Sequence, residues 1–350
     1  MRKIAYGFVS ALALVACGGG GNTDDGGGGM DSVVPMGDVF VIEEDGAVTR
    51  PDIQTPPADG SVSVVRGAWR VVPSGTVEDI RTVWGTAANN VWAANARGRA
   101  HYNGTRWSPT PADYIVFAVH GSAQNDVWQL GMTIPPNGSG ETGRPVFERS
   151  TNGTSFTQVT NSMLVGPFNQ LFAVSPMFVW TVGTGLPARW DGARWVPAGM
   201  GVPPMAFVSG VWASAPNDAV AVGTTVLRWN GTTWMPQTLE GDAFIGVGGL
   251  NANDVWVVGA TGVIWHWTGT WNYSEAGMAF DLIRFTAVWA AASNDVWVVG
   301  ERGTIIHYNG MAWTQVPSMA TQTLLGIWGS SPNDIWAVGE MGTLLHYTVP

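Results

Sequence analysis

The chain has 350 residues, 45% of them apolar and 12% charged, with 26 acidic side chains against 16 basic ones for a formal net charge of −10. A chain this acidic carries no electrostatic footprint for nucleic acid, and a single cysteine, Cys17, excludes a disulfide scaffold. Its 47 glycines and 20 tryptophans direct attention to turns and to a recurring aromatic position.

The N-terminus reads Arg2-Lys3, then an apolar run from Ile4 to Ala16, then Cys17. A charged start followed by an apolar run too short to span a bilayer predicts a signal peptide over residues 1–16. Leu14-Val15-Ala16-Cys17 resembles the bacterial lipobox, which implies acylation of Cys17 with diacylglycerol and palmitate and anchoring of the chain to a membrane. Gly18 follows the cysteine, and the same resemblance then implies the cell outer membrane, with the protein on its periplasmic or its outward side.

Residues 17–60 carry glycine runs, prolines, nine acidic side chains and one basic one, Arg50. Such a stretch cannot bury a core and is expected to be an acidic tether. A short strand over Val39–Ile42 lacks support from its neighbours.

From residue 61 to 350 the chain repeats itself. One position recurs at Trp92, Trp128, Trp180, Val220, Trp256, Trp297 and Trp336. Around it lie four short apolar runs separated by turn signals, the pattern of one four-stranded blade, A to D. Strand B is the VWVVG run, apolar enough to be buried between neighbouring blades. Strand C ends at Asn103-Gly104, Asn152-Gly153, Asp191-Gly192, Asn230-Gly231 or Asn309-Gly310, dipeptides that predict tight primed turns with positive φ. Seven copies of strand B accompany only six aromatic-led copies of strand D. The seventh is found in front of the repeats, at Gly67-Ala68-Trp69-Arg70-Val71-Val72-Pro73, while the last unit stops after Leu344-Leu345-His346-Tyr347. The expected fold is therefore an all-β, seven-bladed β-propeller of four-stranded blades, closed by an N-terminal outer strand pairing with the last blade.

The stretch VGERGTIIHYNGMAWTQV, from Val299 to Val316, resembles the Asp-box (BNR) repeat of bacterial sialidases and of photosystem assembly-factor propellers. The Ser-x-Asp start of that repeat is missing, and Asn stands for the box Asp. The resemblance thus speaks for the fold more than for an activity. Trp-rich repeats of this kind are also a feature of bacterial lipoproteins.

Residues that look chemical are absorbed by the repeat. All twenty tryptophans are assigned to strands A to D, Trp265 and Trp267 among them. His101, His266, His307 and His346 share one position, filled by Arg189 and Arg228 elsewhere, and cannot converge on one metal from different blades. Asp126, Asp218, Asp254, Asp295 and Asp334 recur after Asn in the A-to-B turn, where local backbone bonding is expected. No pair of carboxylates outside the repeat stands out as glycosidase chemistry requires. Neither a catalytic site nor a metal or cofactor is called for.

Binding is expected on the face that carries the D-to-A and B-to-C connections, whose lengths vary. Its candidates are Glu141, Thr142 and Arg144 in the loop from Gly131 to Pro145, Met163 and Phe168 in the connection from Thr160 to Gln170, and Tyr114, Met205, Phe244, Phe280, Arg284 and Met319 elsewhere. The apolar ones among them can equally begin strand A and face the core. His120 stands where other blades place Trp in strand A, as a channel-side candidate or a structural residue. The leading expectation is a monomeric, noncatalytic binding or scaffold propeller on the envelope, gripping a protein or a glycan. The alternative is an extracellular glycan hydrolase or lyase, and a quinone-dependent dehydrogenase is disfavoured by the lack of a concentrated polar site.

Overall fold

The computed structural model describes residues 67–135, 143–160, 164, 166–241, 243–276, 280 and 282–349. Cys17, Glu141, Thr142 and Met163, and the signal and tether expected before residue 61, lie outside the described residues. The first strand is β1 (Ala68–Val71). Blade 1 is β2 to β5 (Ile80–Ala87, Asn90–Asn95, Gly98–Tyr102, Trp107–Pro111), and blade 2 is β6 to β9 (Ile115–Ala123, Asp126–Met132, Pro145–Ser150, Thr157–Gln158). Blade 3 is β10 to β13 (Phe168–Ser175, Phe178–Gly183, Ala188–Trp190, Trp195–Pro197), and blade 4 is β14 to β17 (Val208–Ala215, Asp218–Gly223, Val226–Trp229, Trp234–Gln237). Blade 5 is β18 to β21 (Phe244–Asn251, Asp254–Gly259, Ile264–Trp267, Trp271–Tyr273), and blade 6 is β22 to β25 (Phe285–Ala292, Asp295–Gly300, Ile305–Tyr308, Trp313–Gln315). Blade 7 takes β26 to β28 (Leu324–Ser331, Asp334–Gly339, Leu344–Thr348) and completes itself with β1.

Each sheet is an antiparallel meander in the order A-B-C-D. The seven A strands touch one another in a closed cycle, β2 to β6 and so on to β26 and back to β2, which makes them the inner ring. β1 pairs with β28 in the register Trp69 to Tyr347 and Arg70 to His346, so the ring closes as the repeat count predicts. The Gly67 amide also donates to the Tyr347 hydroxyl at 2.7 Å.

Blades are held together by the strand-B tryptophans. Trp128, Trp180, Trp256, Trp297 and Trp336 are all buried. Each meets the strand-C and strand-D aromatics of the next blade: Trp180 lies 5.3 Å from Trp229 and 5.0 Å from Trp234. Trp336 lies 5.1 Å from Tyr102 and 5.2 Å from Trp107. At the closure the same contact is made by Trp297 with Trp69 at 6.0 Å and Tyr347 at 5.1 Å. Removing one indole from water contributes roughly 4 to 6 kcal/mol, so this column of rings supplies much of the force that joins blade to blade.

Two turn expectations change. At the C-to-D turns only the glycine has positive φ, 93° at Gly104 and 97° at Gly192 and Gly231. The preceding Asn or Asp instead turns its side chain inward, as Asn103 Oδ1 accepts from the amides of Thr105 and Arg106 at 3.1 Å each. That is the Asx-turn use of the residue, and the same dipeptide serves either purpose. Primed turns occur in the B-to-C connections of blades 5, 6 and 7, where Thr261, Arg302 and Met341 have φ of 58°, 57° and 52° and are each followed by a left-handed glycine. Those three connections share one form, so variation in the B-to-C set belongs to the earlier blades.

Candidate functional site

The repeated carboxylates and imidazoles, which the sequence offers as separate features, bond to each other. Nε2 of His266 and of His307 lies 2.8 Å from Oδ1 of Asp254 and Asp295, and His346 lies 2.5 Å from Asp334. Where strand C carries arginine, Arg149 reaches Asp126 at 2.8 Å and Arg228 reaches Asp218 at 2.9 Å. The His266 and His346 rings stack on Trp256 and Trp336 at 3.7 and 3.8 Å, 9° from parallel in both cases. A serine hydroxyl completes several of these groups: Ser330 donates to Asp334 at 2.5 Å and Ser214 to Asp218 at 2.6 Å. Burial of Asp334 alone would raise its carboxyl, but His346 and Ser330 hold it below its ordinary range. In the Asp254 and Asp334 groups the carboxylate stands between hydroxyl and imidazole. The hydroxyl proton is directed to the carboxylate, so the imidazole is not placed to activate a nucleophile. These groups brace the A-to-B turn against strand C.

One blade boundary departs from the others. Arg99 of β4 donates through Nη1 to Glu148 Oε2 at 3.2 Å and to Gln129 Oε1 at 3.0 Å, across from blade 1 to blade 2. Gln129 Nε2 donates to the Tyr114 hydroxyl at 2.5 Å, and the Arg99 guanidinium lies 3.7 Å over the Phe156 ring. Gln129 is fully buried, while the Arg99 and Glu148 side chains are 11% and 21% exposed. Burial, reinforced by the Glu148 carboxylate, pushes the Tyr114 phenol above its usual range, and burial draws the Arg99 guanidinium downward. The Tyr114 ring also covers Gly131, where a Cβ would come within 2.5 Å of it. No pair of carboxylates outside the repeat stands out in the sequence; Glu148 is an acid outside the repeat, and the register between blades shows its partner to be Arg99.

A second residue escapes the repeat. Trp190, Trp229 and Trp267 all pair with the residue just before the strand-B centre, whereas Trp265 pairs with Val257, just after it. Trp265 is thus a tryptophan that the repeat does not require. It forms an edge-to-face pair with half-exposed Tyr273 at 5.4 Å on the outer part of blade 5.

The loop face gathers the exposed apolar surface. Among the described residues, eleven of the fifteen exposed large hydrophobic side chains lie in the D-to-A and B-to-C connections or at strand ends abutting them, with Met205 at 99% and Met319 at 83% exposure. All five non-glycine residues with positive φ are there too: Met205, Thr261, Arg302, Met319 and Met341. An L side chain in that conformation is strained, and strain of this kind collects where a surface is built for use. Arg144 and Arg284 are exposed on the same face. Phe168, Phe244 and Phe280 are not available to a partner: they are buried in the seams between blades, Phe168 and Phe244 as the residues that open β10 and β18 and Phe280 against Phe285, which opens β22. His120 is enclosed in the inner ring, 5.1 Å from Trp84 and 4.3 Å from Phe172, and its Nδ1 accepts the Ala173 amide at 3.1 Å. The candidates thus fall into separate places: Tyr114 in the polar boundary, His120 in the inner ring, Met205 and Met319 on the loop face.

Among the described residues, no group of three or more His, Cys, Asp or Glu side chains is placed to hold a metal ion, and no helix is long and apolar enough to cross a membrane. No protein-family model matches the chain. No curated protein matches it. Solved structures are: YCF48 from Cyanidioschyzon merolae shares 18% identity at a TM-score of 0.64, over 80% of this chain and 98% of that one. YCF48 bound to D1 peptide matches with the same identity and TM-score, over 81% and 97%. A catalytically inactive virginiamycin B lyase from Staphylococcus aureus with quinupristin matches at 14% identity and a TM-score of 0.68, over 81% of this chain and all of that one. At these identities the likeness is one of fold.

Proposed function

We propose that this chain is a noncatalytic binding or scaffold propeller that recognises a protein through its loop face, and that it is held at the bacterial envelope by a lipid on Cys17. The observation that carries the binding reading is the concentration of exposed apolar side chains and of every strained non-glycine residue on one face. Scattered apolar residues need no account, but an apolar set gathered on one side of a rigid ring marks an interaction surface. The repeated carboxylates, by contrast, are engaged by histidine, arginine or serine, which supports a bracing role over hydrolysis. A solved neighbour is described as bound to a peptide, which agrees with use of the fold for protein binding.

The test is capture from envelope extract by the full chain. Replacing Leu186, Met205, Met319 and Met341 with serine is expected to abolish recovery of specific partners, while replacing Met177 and Met311 on the opposite face leaves it intact. Equal recovery by both variants would overturn the reading. For the anchor, labelling with a fatty-acid analogue is expected to disappear in Cys17→Ala. A glycan reading has one observation in its favour, the off-repeat Trp265 and Tyr273 pair, whose rings could stack on a sugar. Saccharide binding lost in Tyr273→Ala, with protein capture unchanged, would favour it.

A further inference from the structure

The loop face is not uniform, and a depression lies where the ring closes. The D-to-A connection from Val71 to Glu78, which leaves the closing strand for blade 1, forms one wall. The turn at Met341 to Thr343 of blade 7 and the connection at Met319 to Gln322 form the other. The groove encloses about 820 Å³, within the range that holds a ligand or a short piece of chain. Its apolar contribution is exposed: Val71, Val77, Met319 and Met341 all present more than half of their surface to solvent. Two of the four are strained as well, Met319 at φ 60° and Met341 at φ 52°. At the apex of the Met341 turn asparagine would relieve that strain, and methionine instead projects a flexible, polarisable side chain suited to an adaptable contact.

Charge indicates what the groove takes. Three carboxylates stand in or beside it, Glu78, Asp79 and Glu340, against one guanidinium, Arg97, which is paired with Glu78 at 2.6 Å. Asp79 Oδ1 accepts the Met341 amide at 3.1 Å and Glu340 Oε2 accepts the Thr323 amide at 3.3 Å, so both carboxylates are held by the backbone that frames the groove. Counted with the groove, the described connections of the loop face carry seven acidic and four basic residues, and three of those seven carboxylates belong to the groove. An acidic rim around exposed methionine and valine is complementary to a basic chain with apolar anchors, through both steering and burial.

We infer that this groove at the closure is the docking site for a basic, extended segment of another protein, whose apolar side chains seat against Met319, Met341, Val71 and Val77 while its lysines or arginines meet Asp79 and Glu340. The inference rests on the loop-face binding reading and deepens it.

The experiment is fluorescence anisotropy on the full chain with three labelled twelve-residue peptides: alternating Lys with Leu and Met, alternating Glu with Leu and Met, and alternating Lys with Ser. The first is expected to bind, with an affinity that falls as salt rises, and the other two to bind at least tenfold more weakly. Met341→Asn, which suits the turn, and Met319→Asn are each expected to weaken binding tenfold or more, as is Asp79→Asn combined with Glu340→Gln. Met311→Ser, on the opposite face, is expected to leave it unchanged. Binding that is indifferent to the Met341 and Met319 changes, equally reduced by Met311→Ser, shared by the acidic peptide, or absent for all three peptides overturns the assignment. Should envelope capture still depend on Leu186 and Met205 in that case, the wider reading of the face stands without the groove; should it not, both fail.

Discussion

Arg99 and Glu148 face each other at 3.2 Å across the boundary between blades 1 and 2, in positions that are apolar on both sides of most other boundaries in the ring. Aligned on the strand-B centre, the place of Arg99 is taken by Phe147, Val226, Ile264, Ile305 and Leu344 in other blades, and that of Glu148 by Ala188, Leu227, Ile306 and Leu345. The ring therefore contains its own control for the worth of an ion pair between blades.

Arg99→Ile alone is expected to destabilise the protein by about 2 kcal/mol, because it leaves Glu148 and buried Gln129 without their donor. The exposure of the pair moderates a larger figure. Installing the residues of the boundary between blades 5 and 6, Arg99→Ile with Gln129→Val and Glu148→Ile, together with Tyr114→Phe to remove the hydroxyl that loses its partner, is expected to return stability to within about 1 kcal/mol of the starting protein. Urea denaturation of the two variants decides it: a quadruple variant no better than the single one would show that the network contributes more than its apolar counterpart.

His120 supplies a pH dependence. Burial pushes its imidazole down to about 3, whereas in the unfolded chain it titrates near 6.5. Below pH 6.5 the unfolded state takes up a proton that the folded state refuses, so the stability it confers is full above that pH and is lost as pH falls toward 3. From pH 7 to pH 5 the loss is about 2 kcal/mol. His120→Phe, the residue that blade 3 has at this place, is expected to remove that part of the decline when midpoints at pH 7 and pH 5 are compared with the parent. An unchanged decline would put the titration elsewhere.

The three shared turns of blades 5 to 7 are places where stability has been left unused. Thr261 is β-branched at φ 58°, and Thr261→Asn is expected to stabilise by about 1 kcal/mol, since Asn-Gly is the preferred centre of this turn. A thermal midpoint at or below the parent's would mean that the threonine side chain is held by contacts that offset the strain.

Trp69 tests the closure energetically. It is 4% exposed, packed at 6.0 Å from Trp297 and 5.5 Å from Tyr347. Trp69→Ala is expected to cost about 3 to 5 kcal/mol and to lower the midpoint of the whole ring in one transition. Loss of a minor, separate transition would instead mean that blade 7 melts independently of the others.

Much of the fold is legible in the sequence because a propeller repeats one burial problem seven times, and the strand-B tryptophan solves it six times in the same way. The displaced strand is legible for the same reason: Ala68-Trp69-Arg70-Val71 has the form of the outer strand that the last unit lacks. The site is harder. Arg99 and Glu148 are 49 residues apart in different blades, and their partnership depends on which side of each strand faces the neighbour. Aligning strand C on its His or Arg would have exposed both, and Trp265 with them, as departures from the repeat. The Asn-Gly turns were misread because one dipeptide suits two geometries, and Met341 gave no signal because nothing in its chemistry announces a left-handed backbone. Phe168 and Phe244 sit at the border of loop and strand and Phe280 within a connection, and in all three the pull of the core decides and sequence position does not.

The pairing of β1 with β28 also sets an order of events in time. Gly67 and the Tyr347 hydroxyl that receives its amide are 280 residues apart, so the strand of the ring that is made first is the last that can be placed. At a synthesis rate of roughly 5 to 20 residues per second, Trp69 waits about 15 to 55 s for the partner that buries it. Throughout that interval an indole and the bare edge of a strand remain unclaimed, and the ring cannot act as one cooperative body until β28 arrives.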